Sequence, residues 1–212
     1  MALDLISRNI TSQPHLGIMG GSQGGLFMGA MLTQRPDLIN AAVIQVPLFD
    51  MLRFHKLLAG ASWIAEYGNP DIAEERAWIA AYSPYQNLRA DQPYPQVFIH
   101  TSTKDDRVHP GHARKAAARL EELGYPVLFY ENTDGGHAAG ANLRETARRL
   151  ALEYTYLTRR LMDAPAALAA GLRVRPAAAG GGRRRCCRCG HGLRAGTRNP
   201  PRHHAGGSFR GS

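Results

Sequence analysis

Short apolar runs alternate with longer stretches of helical periodicity over roughly the first three quarters of the chain. The apolar runs predict four β-strands, at residues 16–19, 41–46, 96–101 and 127–130. Each run is nearly continuous rather than alternating, as expected for strands that are buried on both faces. Strands that alternate with helices are typical of a parallel sheet flanked by helices, so the pattern predicts the α/β class.

Three stretches between and after these runs have helical spacing. Residues 23–34 are followed by Arg35-Pro36, and proline disfavours a helix at the residue before it. Residues 112–123 place alanine and leucine on one face, and a glycine follows, as is common where a helix ends. Residues 142–161 carry one apolar stripe. The segment 51–91 is less regular, and its pattern assigns it no element.

The composition changes after Leu161. Of the residues from 163 to 212, 34 are Ala, Gly, Arg or Pro, and none is Ile, Trp or Tyr. Such a segment buries too little apolar surface to offset the entropy lost on folding. The sequence therefore predicts one domain over 1–162 and a disordered tail over 163–212. The bias of the tail is that expected from out-of-frame translation of GC-rich coding DNA.

The formal net charge of +9 belongs to this tail. Residues 163–212 hold ten arginines and one acidic residue, whereas 1–162 hold equal numbers of basic and acidic residues. The charge of the domain thus gives no indication of a specific nucleic-acid partner. A zinc or nucleic-acid element in the tail is the alternative, built on Cys186-x-x-Cys189 with a nearby histidine. The adjacent pair His203-His204 does not match the ligand spacing of a zinc finger.

The domain suits a reducing compartment, because all three cysteines lie in the tail and none is left for a disulfide framework. No apolar run reaches the length of a membrane span. Charged residues near the N terminus interrupt the apolar core that a signal peptide requires. We therefore expect a cytoplasmic protein without a membrane partner; the sequence makes no prediction of its oligomeric state.

A serine among glycines follows the first predicted strand. Residues 20–24, GGSQG, match G-x-S-x-G between a strand and a helix, where a nucleophilic serine lies on a sharp, strained turn. Glycines two residues before and two after Ser22 are expected to relieve crowding in that turn. The N–H of Gln23, at the start of the helix, is the candidate donor to an oxyanion. A passive turn or a phosphate-binding loop is the alternative, but the stretch lacks G-x-G-x-x-G.

A nucleophilic serine requires a base, and the base requires an orienting acid. Asp105 and Asp106 follow the third predicted strand and His137 follows the fourth, so all three fall at the same edge of the sheet as Ser22. A charged turn and a solvated loop histidine are the alternatives, and spacing does not separate the two aspartates. The order Ser, Asp, His is that of an α/β-hydrolase. The chain is therefore expected to form a partial α/β-hydrolase fold.

Six stretches occur in the order found in a known family: GGSQGGL (20–26), QRPDLINAAVIQVPLFDMLRFHK (34–56), SWIAEYG (62–68), YSPYQNL (82–88), DDRVHP (105–110) and GGHAAG (135–140). Together they resemble the C-terminal part of the catalytic domain of the prolyl oligopeptidase family of serine peptidases. The resemblance covers residues 15–161. It implies that Asp105, the first residue of DDRV, is the acid that orients His137.

The resemblance also implies a binding pocket for proline. Trp63 would lie flat against the proline ring, and Leu48, Tyr67 and Val108 would line the same pocket. Arg107 would donate to the peptide carbonyl that precedes the proline. A flat aromatic face suits a rigid ring, and a guanidinium forms a charge-assisted bond to a carbonyl. Ordinary core packing is the alternative for both aromatic residues.

The function implied is hydrolysis of peptide bonds on the carboxyl side of proline, with a peptide as the substrate and with no metal or organic cofactor. The alternatives are a hydrolase of other specificity, acting on esters or non-prolyl peptides, and an inactive fragment with a basic tail. Members of this family carry a β-propeller domain, further hydrolase strands and an oxyanion-donating tyrosine before the nucleophile, whereas about twenty residues precede Ser22 here. We therefore expect a truncated domain whose serine strand has a neighbour on one side only.

Overall fold

The computed structural model describes residues 1–137 and 142–163, and these form four strands, seven α-helices and four short 3-10 helices. The predicted tail and its cysteines lie outside the described residues. The strands are β1 (Gly17–Gly21), β2 (Ala41–Gln45), β3 (Val97–Ser102) and β4 (Val127–Asn132). The helices are α1 (Ala2–Ser7), α2 (Gln23–Gln34), α3 (Ile64–Tyr67), α4 (Ala73–Tyr82), α5 (Pro84–Asn87), α6 (Gly111–Glu122) and α7 (Leu143–Leu161).

The four strands form one parallel sheet in the order β1-β2-β3-β4. Each strand therefore lies beside the next one along the chain, and the segments between them cross over the faces of the sheet. The predicted α/β class is confirmed. Within the described residues β1, the strand that precedes Ser22, pairs with β2 alone. This agrees with the expectation that the serine strand has a neighbour on one side only.

Two apolar layers hold the helices to the sheet. On one face, residues of α2 and α6 pack with β2 and β3; this layer includes Leu32, Ile44, Ile99 and Leu120, each fully buried. On the other face, α7 covers β2 and β3, where Tyr156 stacks on Phe98. Burying both faces of the central strands explains their continuous apolar sequences.

The two outer strands differ from the expectation that every strand is buried on both faces, and Met19 of β1 is 40% exposed. Leu128 and Phe129 of β4 are 40% and 39% exposed. The reason is position, because β1 and β4 lie at the edges of the described sheet and the helices cover them only in part.

The irregular segment 51–91 contains three helices that the hydrophobic pattern did not indicate. Both α3 and α5 are single turns of four residues, too short for a helical period to show in the sequence. A second apolar cluster forms here, in which Met51, Phe54 and Ile79 are fully buried. Among the described residues, no helix has the length and apolar character needed to cross a bilayer.

Candidate active site

Ser22 lies at the turn between β1 and α2 with strained backbone angles. Its φ is +58° and its ψ is −119°, in a region that residues with a side chain rarely adopt. The turn is held by three backbone hydrogen bonds. The Ser22 N–H donates to the Gln45 carbonyl at 2.9 Å, and the Ser22 carbonyl accepts from the N–H groups of Leu26 at 3.1 Å and Leu48 at 3.4 Å. The conformation thus sets the Ser22 side chain at the C-terminal edge of the sheet.

The glycines around Ser22 are not equally constrained. A Cβ on Gly20 would lie 2.6 Å from the Gly24 carbonyl oxygen and 2.9 Å from Met28 Cγ, so this position admits no side chain. A Cβ on Gly24 would meet nothing within 4 Å, so the prediction of crowding two residues after the serine is wrong. The crowded position after the serine is Gly25, where a Cβ would lie 2.7 Å from Pro47 Cβ. Helix α2 carries Gly24 away from the turn and Gly25 against the neighbouring loop.

The structure brings the three predicted side chains together. His137 Nε2 lies 3.0 Å from Ser22 Oγ, and His137 Nδ1 lies 2.9 Å from Asp105 Oδ2. A carboxylate only accepts hydrogen bonds, so Nδ1 carries the proton and Nε2 is left to accept from the Ser22 hydroxyl. This is the tautomer that a base for Ser22 requires.

Asp105 is fixed by the loop that carries it. It is 4% exposed, and its Oδ1 accepts from the backbone N–H groups of Arg107 at 2.9 Å and Val108 at 2.8 Å. These two bonds leave Oδ2 directed at His137. The geometry thus separates the two aspartates that spacing had left open, because Asp105 and not Asp106 contacts the imidazole.

Gln23 is the first residue of α2, so its N–H belongs to the four at a helix start that have no partner within the helix. Its side chain points to the α3 segment, where Gln23 Nε2 donates to Glu66 Oε1 at 3.0 Å. The next residue, Tyr67, is half-buried, and burial together with the Glu66 carboxylate raises its pKa to about 12. The phenol therefore stays neutral at physiological pH.

The predicted pocket residues also lie together. Leu48 and Val108 are buried in one apolar cluster, and Trp63 and Tyr67 pack against it, half-buried. The Arg107 guanidinium lies 6.0 Å from the centre of the Trp63 ring, within the range of a cation–π contact. An aromatic face and a guanidinium are thus present near the serine turn, as the resemblance implied.

A buried polar group that sequence reasoning missed holds the loop that carries Leu48. His112 Nδ1 accepts from the backbone N–H groups of Phe49 at 3.3 Å and Asp50 at 3.0 Å. Asp50, itself 1% exposed, pairs with Lys115 and accepts from Gln86 Nε2 at 2.7 Å. Burial lowers the pKa of His112 to about 4, so its ring is neutral and can accept. The signal in the sequence that could have indicated this group is the spacing of His112 and Lys115, which stand one helical turn apart on α6.

A second buried histidine, His100 in β3, was also missed. Neither ring nitrogen has a hydrogen-bond partner among the described residues, and the ring stacks on Tyr130 with centroids 5.6 Å apart. Burial and the nearby Arg149 charge lower the pKa of His100 to about 4, against an opposing effect of Asp105. In the sequence it stands within an apolar strand, where nothing distinguished it.

No set of three or more His, Cys, Asp or Glu side chains in the described part of the chain is arranged to hold a metal ion. The candidate site consists of the serine turn, the histidine and aspartate that follow β4 and β3, and the apolar cluster that contains Leu48 and Val108.

A parallel sheet with a strained serine turn after one strand, and an aspartate and a histidine after later ones, defines an α/β-hydrolase domain. Within that class the chain belongs to the prolyl oligopeptidase family, whose family model matches residues 1–163. It is 60% identical over 163 residues to the uncharacterized peptidase y4nA of Sinorhizobium fredii, covering 77% of this chain and 22% of that protein. It is 37% identical over 161 residues to the prolyl endopeptidase of Dictyostelium discoideum, covering 73% and 21%.

Solved structures show the same likeness. The post-proline cleaving enzyme from Rickettsia typhi superposes with a TM-score of 0.74 at 41% identity, over 76% of this chain and 23% of that one. Oligopeptidase B from Leishmania major superposes with a TM-score of 0.72 at 26% identity, over 76% and 23%. The chain thus spans about a fifth of the length of the relatives that it matches.

Proposed function

We propose that this site is the acyl-transfer centre of a serine peptidase that cleaves on the carboxyl side of proline. The observation that carries the proposal is the pair of hydrogen bonds from Ser22 Oγ to His137 Nε2 and from His137 Nδ1 to Asp105 Oδ2, at 3.0 and 2.9 Å. Membership of a family whose named relatives include prolyl endopeptidases supports the substrate class.

In the proposed reaction, the Ser22 oxygen attacks the carbonyl carbon of a prolyl peptide bond while His137 Nε2 takes the hydroxyl proton. Asp105 holds the ring in the required tautomer and stabilises the imidazolium. The negative charge of the tetrahedral intermediate develops on the former carbonyl oxygen, toward the N–H of Gln23. When the C–N bond breaks, His137 returns the proton to the leaving amine and an ester to Ser22 remains.

The second half of the reaction uses the same groups. His137 takes a proton from water, the resulting oxygen attacks the ester carbonyl, and the proton passes back to Ser22 as the acid is released. Every proton is passed between Ser22, His137, the substrate and water, so the chain's own side chains supply the acid and base chemistry.

The proline preference rests on the pocket beside the serine. A proline ring has no N–H to satisfy and presents flat apolar surface, which matches the half-buried face of Trp63 and the apolar wall of Leu48 and Val108. In the proposed role, the Arg107 guanidinium moves from the Trp63 ring to donate to the carbonyl before the proline.

The test is hydrolysis of a chromogenic Gly-Pro anilide by the full chain, beside the matched Gly-Ala anilide. We expect faster turnover of the prolyl substrate, and loss of both activities in Ser22→Ala. Covalent labelling with a fluorophosphonate probe measures the nucleophile independently of the substrate. Equal turnover of the two anilides would favour the hydrolase of other specificity. Failure of the probe to label Ser22 would contradict the acyl-transfer centre itself.

A further inference from the structure

A groove of about 690 Å³ runs between β4 and α7, and none of its lining residues belongs to the candidate active site. Phe98 and Tyr156 are among its buried lining residues. Leu128 of β4 and Leu152 of α7 also line it, each with about two fifths of its surface exposed. The groove is therefore an apolar surface left open to solvent beside a strand.

The strand beside the groove has an unpaired side. In the described part of the sheet β4 pairs only with β3, so alternate backbone N–H and C=O groups of β4 point away from the sheet. Such an edge accepts a further extended strand, whose main-chain groups complete the ladder while alternate side chains enter the neighbouring groove.

The charge of the groove is entirely positive. Arg148, Arg159 and Arg160 line it, and no carboxylate is among its described lining residues. Arg160 is held by Asn40, to whose side-chain oxygen it donates at 2.7 Å, and Arg148 lies 5.9 Å from the centre of the Tyr130 ring. Arg159 forms no ion pair with any residue that the structure describes. In the part of the chain that the structure describes, the guanidinium groups of Arg148 and Arg159 thus have no carboxylate partner.

We propose that this groove, with the β4 edge, docks an extended polypeptide segment whose groove-facing side chains are apolar at the centre and acidic at the two ends. The face of such a strand that is turned to the groove places apolar side chains beside Leu128 and Leu152. The acidic side chains at its flanks meet Arg148 and Arg159. The composition of residues 163–212, with ten arginines against one acidic residue, does not match the carboxylates that this rim requires.

The experiment measures binding of a dye-labelled extended peptide to the full chain by fluorescence anisotropy; the side chains on one face of the peptide are valine at the centre and glutamate at both ends. We expect saturable binding that is lost when lysine replaces glutamate. It is also expected to be lost when alternate backbone nitrogens are methylated, because a methylated nitrogen cannot pair with β4. The double variant Arg148→Glu/Arg159→Glu is expected to bind about tenfold more weakly.

A matched control is needed because the arginine-rich tail attracts any acidic peptide. Arg89→Glu/Arg144→Glu makes the same charge change at two exposed arginines outside the groove, and we expect it to bind within about twofold of the parent. Far-UV circular dichroism of both double variants checks that each is folded. Equal weakening in the two double variants would assign binding to net charge and overturn the proposal. The proposal would also be overturned if the methylated peptide bound as tightly as the parent peptide and dodecanoate displaced it, because the groove would then take any apolar anion.

Discussion

The backbone of Ser22 shows how one residue sets the chemistry of the whole site. Its positive φ turns the chain so that Oγ meets His137 Nε2, and the bond from its N–H to Gln45 ties that turn to β2. A strained residue persists only where its surroundings fix it. The closest of those surroundings is Gly20, whose missing Cβ lets Gly24 and Met28 approach the turn.

Gly20→Ala is therefore expected to destabilise the domain, whereas Gly24→Ala is not. The first change adds a carbon within 3 Å of backbone, which costs about 1–3 kcal/mol of unfolding free energy. The second adds the same carbon in open space at the start of a helix, where alanine is favoured over glycine by up to about 1 kcal/mol. Urea unfolding of the two variants measures the difference, and similar losses in both would contradict the geometry of the turn.

Asp105→Asn is expected to abolish the reactivity of Ser22 while leaving the fold intact. Oδ1 accepts from two N–H groups, so the amide oxygen takes that position and the amide NH₂ faces His137. The imidazole then accepts at Nδ1 and carries its proton on Nε2, where it cannot take the Ser22 proton. Fluorophosphonate labelling is expected to slow by on the order of 10³- to 10⁴-fold.

A control separates this effect from a general loss of the acidic loop. Asp106→Asn changes the neighbouring carboxylate, which does not contact His137, and it is expected to keep the parent labelling rate within a few-fold. Thermal unfolding of both variants checks the fold. Loss of labelling in the Asp106 variant, with retention in the Asp105 variant, would exchange the proposed roles of the two.

At the scale of elements, α7 is fixed to the sheet by one hydroxyl as well as by apolar contact. Tyr156 Oη donates to the Gln96 carbonyl and accepts from the Ala42 N–H at 3.1 Å, joining the helix to two strand segments. Burial raises the pKa of Tyr156 to about 12, so the hydroxyl keeps the proton that it donates.

Tyr156→Phe keeps the ring and removes both hydrogen bonds, leaving two buried backbone groups unpaired. We expect a loss of about 1–3 kcal/mol of unfolding free energy. Tyr154→Phe makes the same change at a residue of α7 that is 57% exposed, and it is expected to have no measurable effect on the unfolding free energy. Chemical denaturation of both variants tests this, and equal stability of the two would show that the hydroxyl does not hold α7 in place.

The hydrophobic pattern located those elements that are long or buried enough to show a period. The 19-residue helix α7 and the buried strands β2 and β3 lie within two residues of their predicted bounds. The single turn α3 was not predicted, because a four-residue helix has no period to detect. At the site, the G-x-S-x-G motif and the positions that follow strand ends predicted that Ser22 and His137 lie close together, and their side chains are 3.0 Å apart. They could not show contacts that depend on tertiary packing, such as those of His112 with the loop after β2.

At the scale of the whole molecule, the interior holds two neutral histidines at separate places. His112 accepts two backbone N–H bonds beneath the loop after β2. His100 lies between the sheet and α7, and no described residue bonds either of its ring nitrogens. Burial lowers the pKa of each to about 4, far below the ordinary value of a histidine in an unfolded chain. The stability of the fold is therefore coupled to pH through both.

The unfolding free energy is expected to fall as the pH drops from about 6.5 toward 4. Above this window neither state protonates these rings, and their contribution to stability is fully present. Within it the unfolded chain binds up to two protons that the native state excludes, so each ring costs about 1.4 kcal/mol per pH unit. His100→Leu removes one of the two and leaves no native hydrogen bond unmade, so it is expected to halve the slope and to match or exceed the parent stability below pH 6. Urea unfolding from pH 7 to 4.5 measures both slopes. An unchanged slope in His100→Leu would mean that the ring is already protonated inside the fold, with Asp105 as the nearby charge that sustains it.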